Sequence, residues 1–283
     1  MRVLITGANG MLGTDLTHAF TGHQVTAAGR DKLDITDAED ARRAVAGMDV
    51  VINAAAYTNV DAAETEEDTA HRINADGAEN LAAAARNVGA RLVQISTDYV
   101  FDGTATTPYD EHHPLAPVSA YGRSKADGER RALTAHPDGT YVVRTAWLYG
   151  ENGGNFPATM LRLAATHPTV DVVTDQTGQP TLTRDLARQI RLLVESDAPA
   201  GIYHGTNSGT ATWYEFARAV YTECGLDPDR IHPTDSTAFI RPAPRPAYSV
   251  LGHNAWSRAG LPEMRNWRDA LHDAVTTGAI SIP

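Results

Sequence analysis

Short apolar runs recur through the first half of the chain, each followed by a longer stretch with helical spacing. Residues 2–6, 24–28, 50–53, 91–96 and 141–145 carry the strand pattern. Residues 11–20, 38–46, 68–87 and 119–135 carry the helical one, the third of them rich in alanine. Strands of four to six residues alternating with helices of eight or more predict an α/β fold with a doubly wound parallel sheet, covered on both faces. After residue 147 the regularity loosens. Helical spacing persists at 156–166, 183–196, 213–224 and 267–277, but turn-rich segments and the run Arg241-Pro-Ala-Pro-Arg-Pro246 separate them. The expectation is a nucleotide-binding domain over 1–147. Residues 148–283 then form mainly a smaller α/β substrate-binding portion, with the option that chain crosses back to the main sheet.

Composition narrows the function. With 24 Lys and Arg against 35 Asp and Glu among 283 residues, the net charge is −11, which argues against a nucleic-acid partner. The lone Cys224 excludes an intramolecular disulfide and a cysteine-based zinc site, and it falls in a helical pattern as a small core residue. No run approaches the roughly 18 apolar residues of a membrane span, and no leader pattern opens the chain, so the expected setting is cytoplasmic with no membrane partner. Only two lysines occur, Lys32 and Lys125. Each therefore attracts attention.

The first strand runs into Val3-Leu-Ile-Thr-Gly7-Ala-Asn-Gly10-Met-Leu-Gly13, a glycine motif between strand and helix. Gly7 permits the tight turn, Gly10 lets backbone approach a pyrophosphate, and Gly13 lets helix and strand pack closely. The N–H groups from Gly10 through Met11 and Leu12 then face the anion. A nicotinamide dinucleotide is discriminated at the end of the second strand, where Arg30 and Lys32 stand near the expected 2′-phosphate and favour NADPH, with NADH as the alternative through Asp31. Asp34 and Ile35 are placed to cover the adenine. Ala55, Ala56, Tyr57 and Thr58 follow the third strand, where the chain must pass beneath the cofactor.

Tyr121 and Lys125 lie four apart, on one face of a predicted helix. With ten tyrosines and two lysines in the chain, this spacing is unlikely to arise by chance. A phenol of ordinary pKa ~10 is a poor proton carrier at neutral pH, and a neighbouring ammonium favours its anion. Upstream, Ser96-Thr97-Asp98-Tyr99 ends a strand, and a hydroxyl there can stabilise charge on a carbonyl oxygen. The competing reading of that segment is a simple polar turn.

Glycine turn, strand-end hydroxyl and Tyr-x-x-x-Lys, in this order, resemble the extended short-chain dehydrogenase/reductase family with its Rossmann-type fold. The likeness is strongest to the dTDP-4-dehydrorhamnose reductase branch. Carrying it further are Asn53-Ala-Ala-Ala-Tyr-Thr-Asn-Val-Asp61, Ser96-Thr-Asp-Tyr-Val-Phe101, Arg144-Thr-Ala-Trp-Leu-Tyr-Gly150, Asp175-Gln-Thr-Gly-Gln-Pro-Thr181 and Arg245-Pro-Ala-Tyr-Ser249.

The resemblance implies NADPH-dependent reduction of the C4 ketone of a dTDP-4-dehydro-6-deoxyhexose. Tyr121 would protonate the oxygen, Lys125 would tune Tyr121 and hold the ribose, and Thr97 would bind the carbonyl with Asp98 beside it. Val60 and Trp147 would meet the hexose, and Trp147 as plain core is the rival reading. Asn155, Arg241 and Arg245 are candidates for the diphosphate on chemical grounds. Tyr99 stands where related dehydratases carry a glutamate, which disfavours dehydration. Tyr57 stands where the family usually has histidine. Asp15 could serve a metal-bridged dimer, but Arg184 falls where a second acid would be needed, so no metal is expected and the chain is read as a monomer or homodimer. Two other readings remain at this point: an NDP-sugar 4-epimerase and a cofactor-binding regulatory subunit.

Overall fold

The computed structural model describes residues 1–282. Its first half alternates β1 (Arg2–Thr6), α1 (Met11–Ala19), β2 (Gln24–Ala28), α2 (Ala38–Val45), β3 (Val50–Asn53), α3 (Gly77–Val88), β4 (Arg91–Thr97), α4 (Ala120–Ala135) and β5 (Thr140–Thr145). These bounds follow the hydrophobic pattern closely. The exception is the third predicted helix, which begins as Glu67–His71 and widens into a π turn over Arg72–Asp76 before continuing as α3.

The strands are parallel throughout and alternate their burial between the two faces. Val3 and Ile5 of β1 enter one core with Val93, Val143, α1 and the helix Thr183–Glu195. Leu4 enters the other with Val51, Leu92 and the alanines of α3. Small residues let α2, α3 and α4 pack close to the sheet and to one another.

The sixth strand, β6 (Gly201–His204), comes from the second half of the chain and pairs with β5, so the order across the sheet is β6-β5-β4-β3-β1-β2. The chain after residue 147 thus serves both layers. Thr183–Glu195, β6 and the short helix Asn254–Arg258 complete the main domain, and a separate core around Tyr149, Phe216 and Trp267 forms the cap.

A buried ion pair helps tie the returning chain to the first half of the main domain. Arg144 of β5 meets Glu129 of α4 at 2.7 Å, both almost fully buried, and donates to the Glu111 carbonyl at 3.0 Å. The Glu111 carboxylate in turn accepts from the Ala255 backbone N–H and from Arg258. Breaking one partner of such a pair typically costs about 3–5 kcal/mol, because the other charge is left buried and unpaired.

Candidate active site

Sheet order reverses between β1 and β3, and ligand clefts open at such a switch point, beyond the carboxyl ends of the strands. A cleft of about 910 Å³ lies there, at the large end of the usual range for ligand sites. It runs from the turn after β1, past the ends of β3 and β4, to Trp147 in the cap.

The turn has the geometry the glycines predict. Gly7 has φ +64°, and a Cβ on it would lie 2.6 Å from the Ala54 carbonyl carbon. One on Gly13 would lie 2.2 Å from the Gly7 oxygen. Gly10, Met11, Leu12 and Gly13 all line the cleft at the N-terminus of α1, which carries no side-chain cap of its own. Free N–H groups at a helix N-terminus suit a pyrophosphate. This cradle fits a dinucleotide.

Arg30 and Asp34 line the cleft and are exposed, and Ile35 lines it as a buried residue. The second cation here is not Lys32, which is absent from the lining, but Arg72, brought in by the π turn and acting with Arg30 on Asp34. Ala55, Ala56 and Thr58 line the cleft; Tyr57 does not. Its backbone N–H donates to Asn74, its hydroxyl donates to Glu66 at 3.0 Å, and it packs in the cluster that contains Tyr121 and Val60.

Thr97, Asp98, Tyr121 and Lys125 converge at the centre of the cleft, all nine-tenths buried or more. The N-terminus of α4, which carries Tyr121, is pinned twice. Ser119 caps it through the Gly122 N–H, and Glu64 accepts from the Ala120 N–H at 2.8 Å. Burial pushes the Tyr121 phenol above its ordinary pKa, the Thr97 hydroxyl draws it down, and the Asp98 carboxylate pushes it up again. This reverses the expected direction: desolvation, rather than the ammonium, dominates the phenol.

Lys125 is pulled down to about 8 by burial, with Glu129 opposing, and its Nζ donates to the Ile95 carbonyl at 2.6 Å. Asp98 is raised to about 6 by burial, held back by the hydroxyls of Ser249 and Thr97, the latter donating from Oγ1 to Oδ1 at 2.9 Å. Three buried polar atoms of cleft residues lack partners: Ser96 Oγ, Asp98 Oδ2 and Thr145 Oγ1. Buried polar groups without partners are rare in folded chains, and these three are available to a ligand. Ser96 and Thr145, like Arg72, escaped the sequence reading, although Ser96 belongs to the motif that held Thr97.

Val60 and Trp147 line the cap side. Trp147 is half-buried and holds φ +46°, unusual for a bulky residue, with its ring stacked on Trp213 at 3.5 Å and Gly178 against its edge. A strained aromatic held over a cleft by its surroundings is a common feature of binding sites. Asn155 is placed elsewhere. It caps the helix Phe156–Thr166 through the Ala158 N–H and donates to the Gly150 carbonyl, which occupies both ends of its amide. Arg245 pairs with Asp61 at 3.0 Å and lies over the Tyr99 ring; Arg241, more exposed, reaches the same carboxylate at 3.8 Å. Neither arginine lines the cleft directly, but Asp61 adjoins Val60, which does. Asp15 accepts a hydrogen bond from Thr183, and Arg184 is held by Asp273.

Among the described residues no helix is long and apolar enough to cross a membrane. The family model for the RmlD substrate binding domain matches residues 1–280. A dTDP-4-dehydrorhamnose reductase of Streptomyces griseus is 50% identical over 281 residues, covering 96% of this chain and 92% of that one. A probable dTDP-4,6-dihydroxy-2-methyloxan-3-one 4-ketoreductase of Streptomyces antibioticus is also 50% identical, over 97% and 94% of the two chains. The crystal structure of a Bacillus anthracis dTDP-4-dehydrorhamnose reductase in complex with NADP superposes with a TM-score of 0.93 at 39% identity, covering 98% of this chain and 99% of the other. On this cleft, this sheet order and these likenesses, the chain belongs to the RmlD substrate-binding-domain family, within the dTDP-4-dehydrorhamnose reductase branch of the extended short-chain reductases.

Proposed function

We propose that this protein reduces the C4 ketone of a dTDP-4-dehydro-6-deoxyhexose with NADPH, giving dTDP-L-rhamnose or a related deoxysugar. The observation that carries the reading is the convergence of Thr97, Tyr121 and Lys125, buried together in the cleft that the glycine turn opens. When bound, NADPH supplies the hydride for C4. The cradle of Gly7, Gly10 and Gly13 would hold its pyrophosphate, with Arg30 and Arg72 at the 2′-phosphate end.

The protein's own part is to deliver a proton and to hold charge. Burial keeps the Tyr121 phenol protonated in the resting site, which is the form that can donate to the C4 oxygen as negative charge builds there. The Thr97 hydroxyl stands beside it, and by turning its one hydrogen from Asp98 it would become a second donor to the same oxygen. Lys125 remains mostly an ammonium below about pH 8, and that charge stabilises the tyrosinate left after donation. Tyr99 lies edge-on to Tyr121 at 5.6 Å, and burial holds its phenol neutral, so the position supplies no carboxylate base for water elimination. Trp147 and Val60 would bound the hexose, and Arg245 with Arg241 would meet the diphosphate by exchanging Asp61 for it.

The test is NADPH oxidation with dTDP-4-dehydro-6-deoxyhexoses, with and without a 3,5-epimerase to supply the epimerised ketone. Stoichiometric oxidation on one of them is expected. Sugar interconversion with no net NADPH loss would instead identify an epimerase.

A further inference from the structure

Beneath the cleft, a line of buried side-chain amides crosses three strands and ends at the catalytic lysine. Thr6 at the end of β1 donates from Oγ1 to Asn53 Oδ1 at 2.6 Å. Asn53 Nδ2 donates to Gln94 Oε1 at 2.8 Å, and Gln94 Nε2 donates to the Ile95 carbonyl at 3.0 Å. Lys125 Nζ donates to that same carbonyl at 2.6 Å. Thr6, Asn53, Gln94 and Lys125 are 1%, 1%, 2% and 4% exposed, so no water competes for these bonds. Gln94 alone of the four stands behind the cleft wall rather than in it.

Backbone groups fix the polarity of the line at both ends. The Ala55 N–H, which can only donate, reaches Asn53 Oδ1 at 3.2 Å, so the Asn53 amino group must face Gln94. The Ile95 carbonyl, which can only accept, then requires the Gln94 amino group. Flipping either amide would bring two donors or two acceptors face to face in a buried place, which costs the desolvation of both.

We propose that Gln94 is a positioning residue for Lys125: by sharing the Ile95 carbonyl, it fixes where the ammonium stands and hence the field that reaches Tyr121. The proposal rests on the Tyr121–Lys125 reading above but is independent of which sugar is reduced. Its physical basis is the freedom of a lysine stem, which has four rotors and three donors. Among the described residues the Ile95 carbonyl is the one hydrogen-bond acceptor Lys125 reaches, so a carbonyl free to rock would leave the charge free to wander.

The titratable groups around Lys125 are few. Tyr121 and Glu129 come from its own helix, Glu129 is tied to Arg144 of β5, and Asp98 lies at the end of β4. From β1 and β3 the line offers only neutral groups, and glutamine keeps it neutral on β4.

Gln94→Glu and Gln94→Met separate positioning from mere packing. Protonated, a glutamate at 94 reproduces both bonds, with its O–H donating to Ile95 and its carbonyl accepting from Asn53. Ionised, it turns an acceptor on the Ile95 oxygen and brings a negative charge to the ammonium. Because the chain holds only Lys32 and Lys125, protein labelled with 13Cε-lysine gives two resonances, which Lys32→Arg assigns. In the unsubstituted protein Lys125 should titrate near pH 8. In Gln94→Glu its midpoint should rise by about one pH unit or more, and kcat should fall as the new carboxyl ionises. Gln94→Met should lose about tenfold or more in kcat at every pH, with sugar KM within about twofold. Lys125 midpoints that coincide in all three proteins, with thermal stability preserved, would overturn the proposal. So would a Gln94→Glu chain that stays unfolded even where its carboxyl is protonated. Absence of turnover in the unsubstituted protein would reject the reductase reading while leaving the lysine titration to decide this one.

Discussion

The floor and the rim of the cleft use polar groups in opposite ways. On the floor, Thr97, Tyr121 and Lys125 are buried, Lys125 held by a backbone carbonyl and Thr97 by the buried carboxyl of Asp98. On the rim, Arg30, Arg72 and Arg241 are exposed; the first two stand in the field of Asp34, and Arg241 reaches the Asp61 carboxylate. Buried, preorganised groups act on developing charge where water cannot compete, so their loss falls on the rate. Exposed charges on long stems are screened and mobile, so their loss falls modestly on affinity. Arg245 sits between these limits, half-shielded over the Tyr99 ring while paired with Asp61.

Three substitutions would break or sharpen that contrast. Tyr121→Phe removes the proton donor and should lower kcat by about 10²- to 10⁴-fold, with NADPH affinity by fluorescence titration nearly unchanged. A comparable loss of cofactor binding would place Tyr121 in the fold rather than the chemistry. Arg245→Ala should raise the KM for the nucleotide sugar about tenfold, the scale of one charge-assisted hydrogen bond, and leave kcat within about threefold. A fall in kcat with unchanged KM would move Arg245 from rim to floor. Arg30→Ala should raise the KM for NADPH about three- to fivefold and leave that for NADH alone. Equal effects on both cofactors would remove Arg30 from the 2′-phosphate, leaving Arg72 to read it.

What the chain disclosed beforehand follows the range of the forces involved. β1, β2 and β3 were legible because strand alternation and the glycines after Thr6 are local signals. The Tyr121–Lys125 pair was legible because one helix carries both. β6 was not assigned, since Gly201–His204 is four residues among turns and is a strand only because β5 offers an open edge. Arg72 was missed because a π turn, invisible in spacing, swings it some forty residues past Arg30 into the same corner. Asn155 had a readable alternative: an asparagine shortly before a proline at the start of a helical run is a capping signal, and the structure uses it so. Gln94 had no signal at all. Its importance depends on Asn53 and Thr6, which reach it only across the sheet.

The claim most in need of a direct trial is that the floor delivers a proton while C4 of the sugar takes the hydride. NADPH carrying deuterium at both positions of nicotinamide C4 follows this in one measurement, with the product read by NMR. The account predicts one deuterium per NADPH consumed, at C4 of the hexose and on a single face. A hexose C4 without deuterium, or deuterium at any other carbon of the sugar, would contradict it.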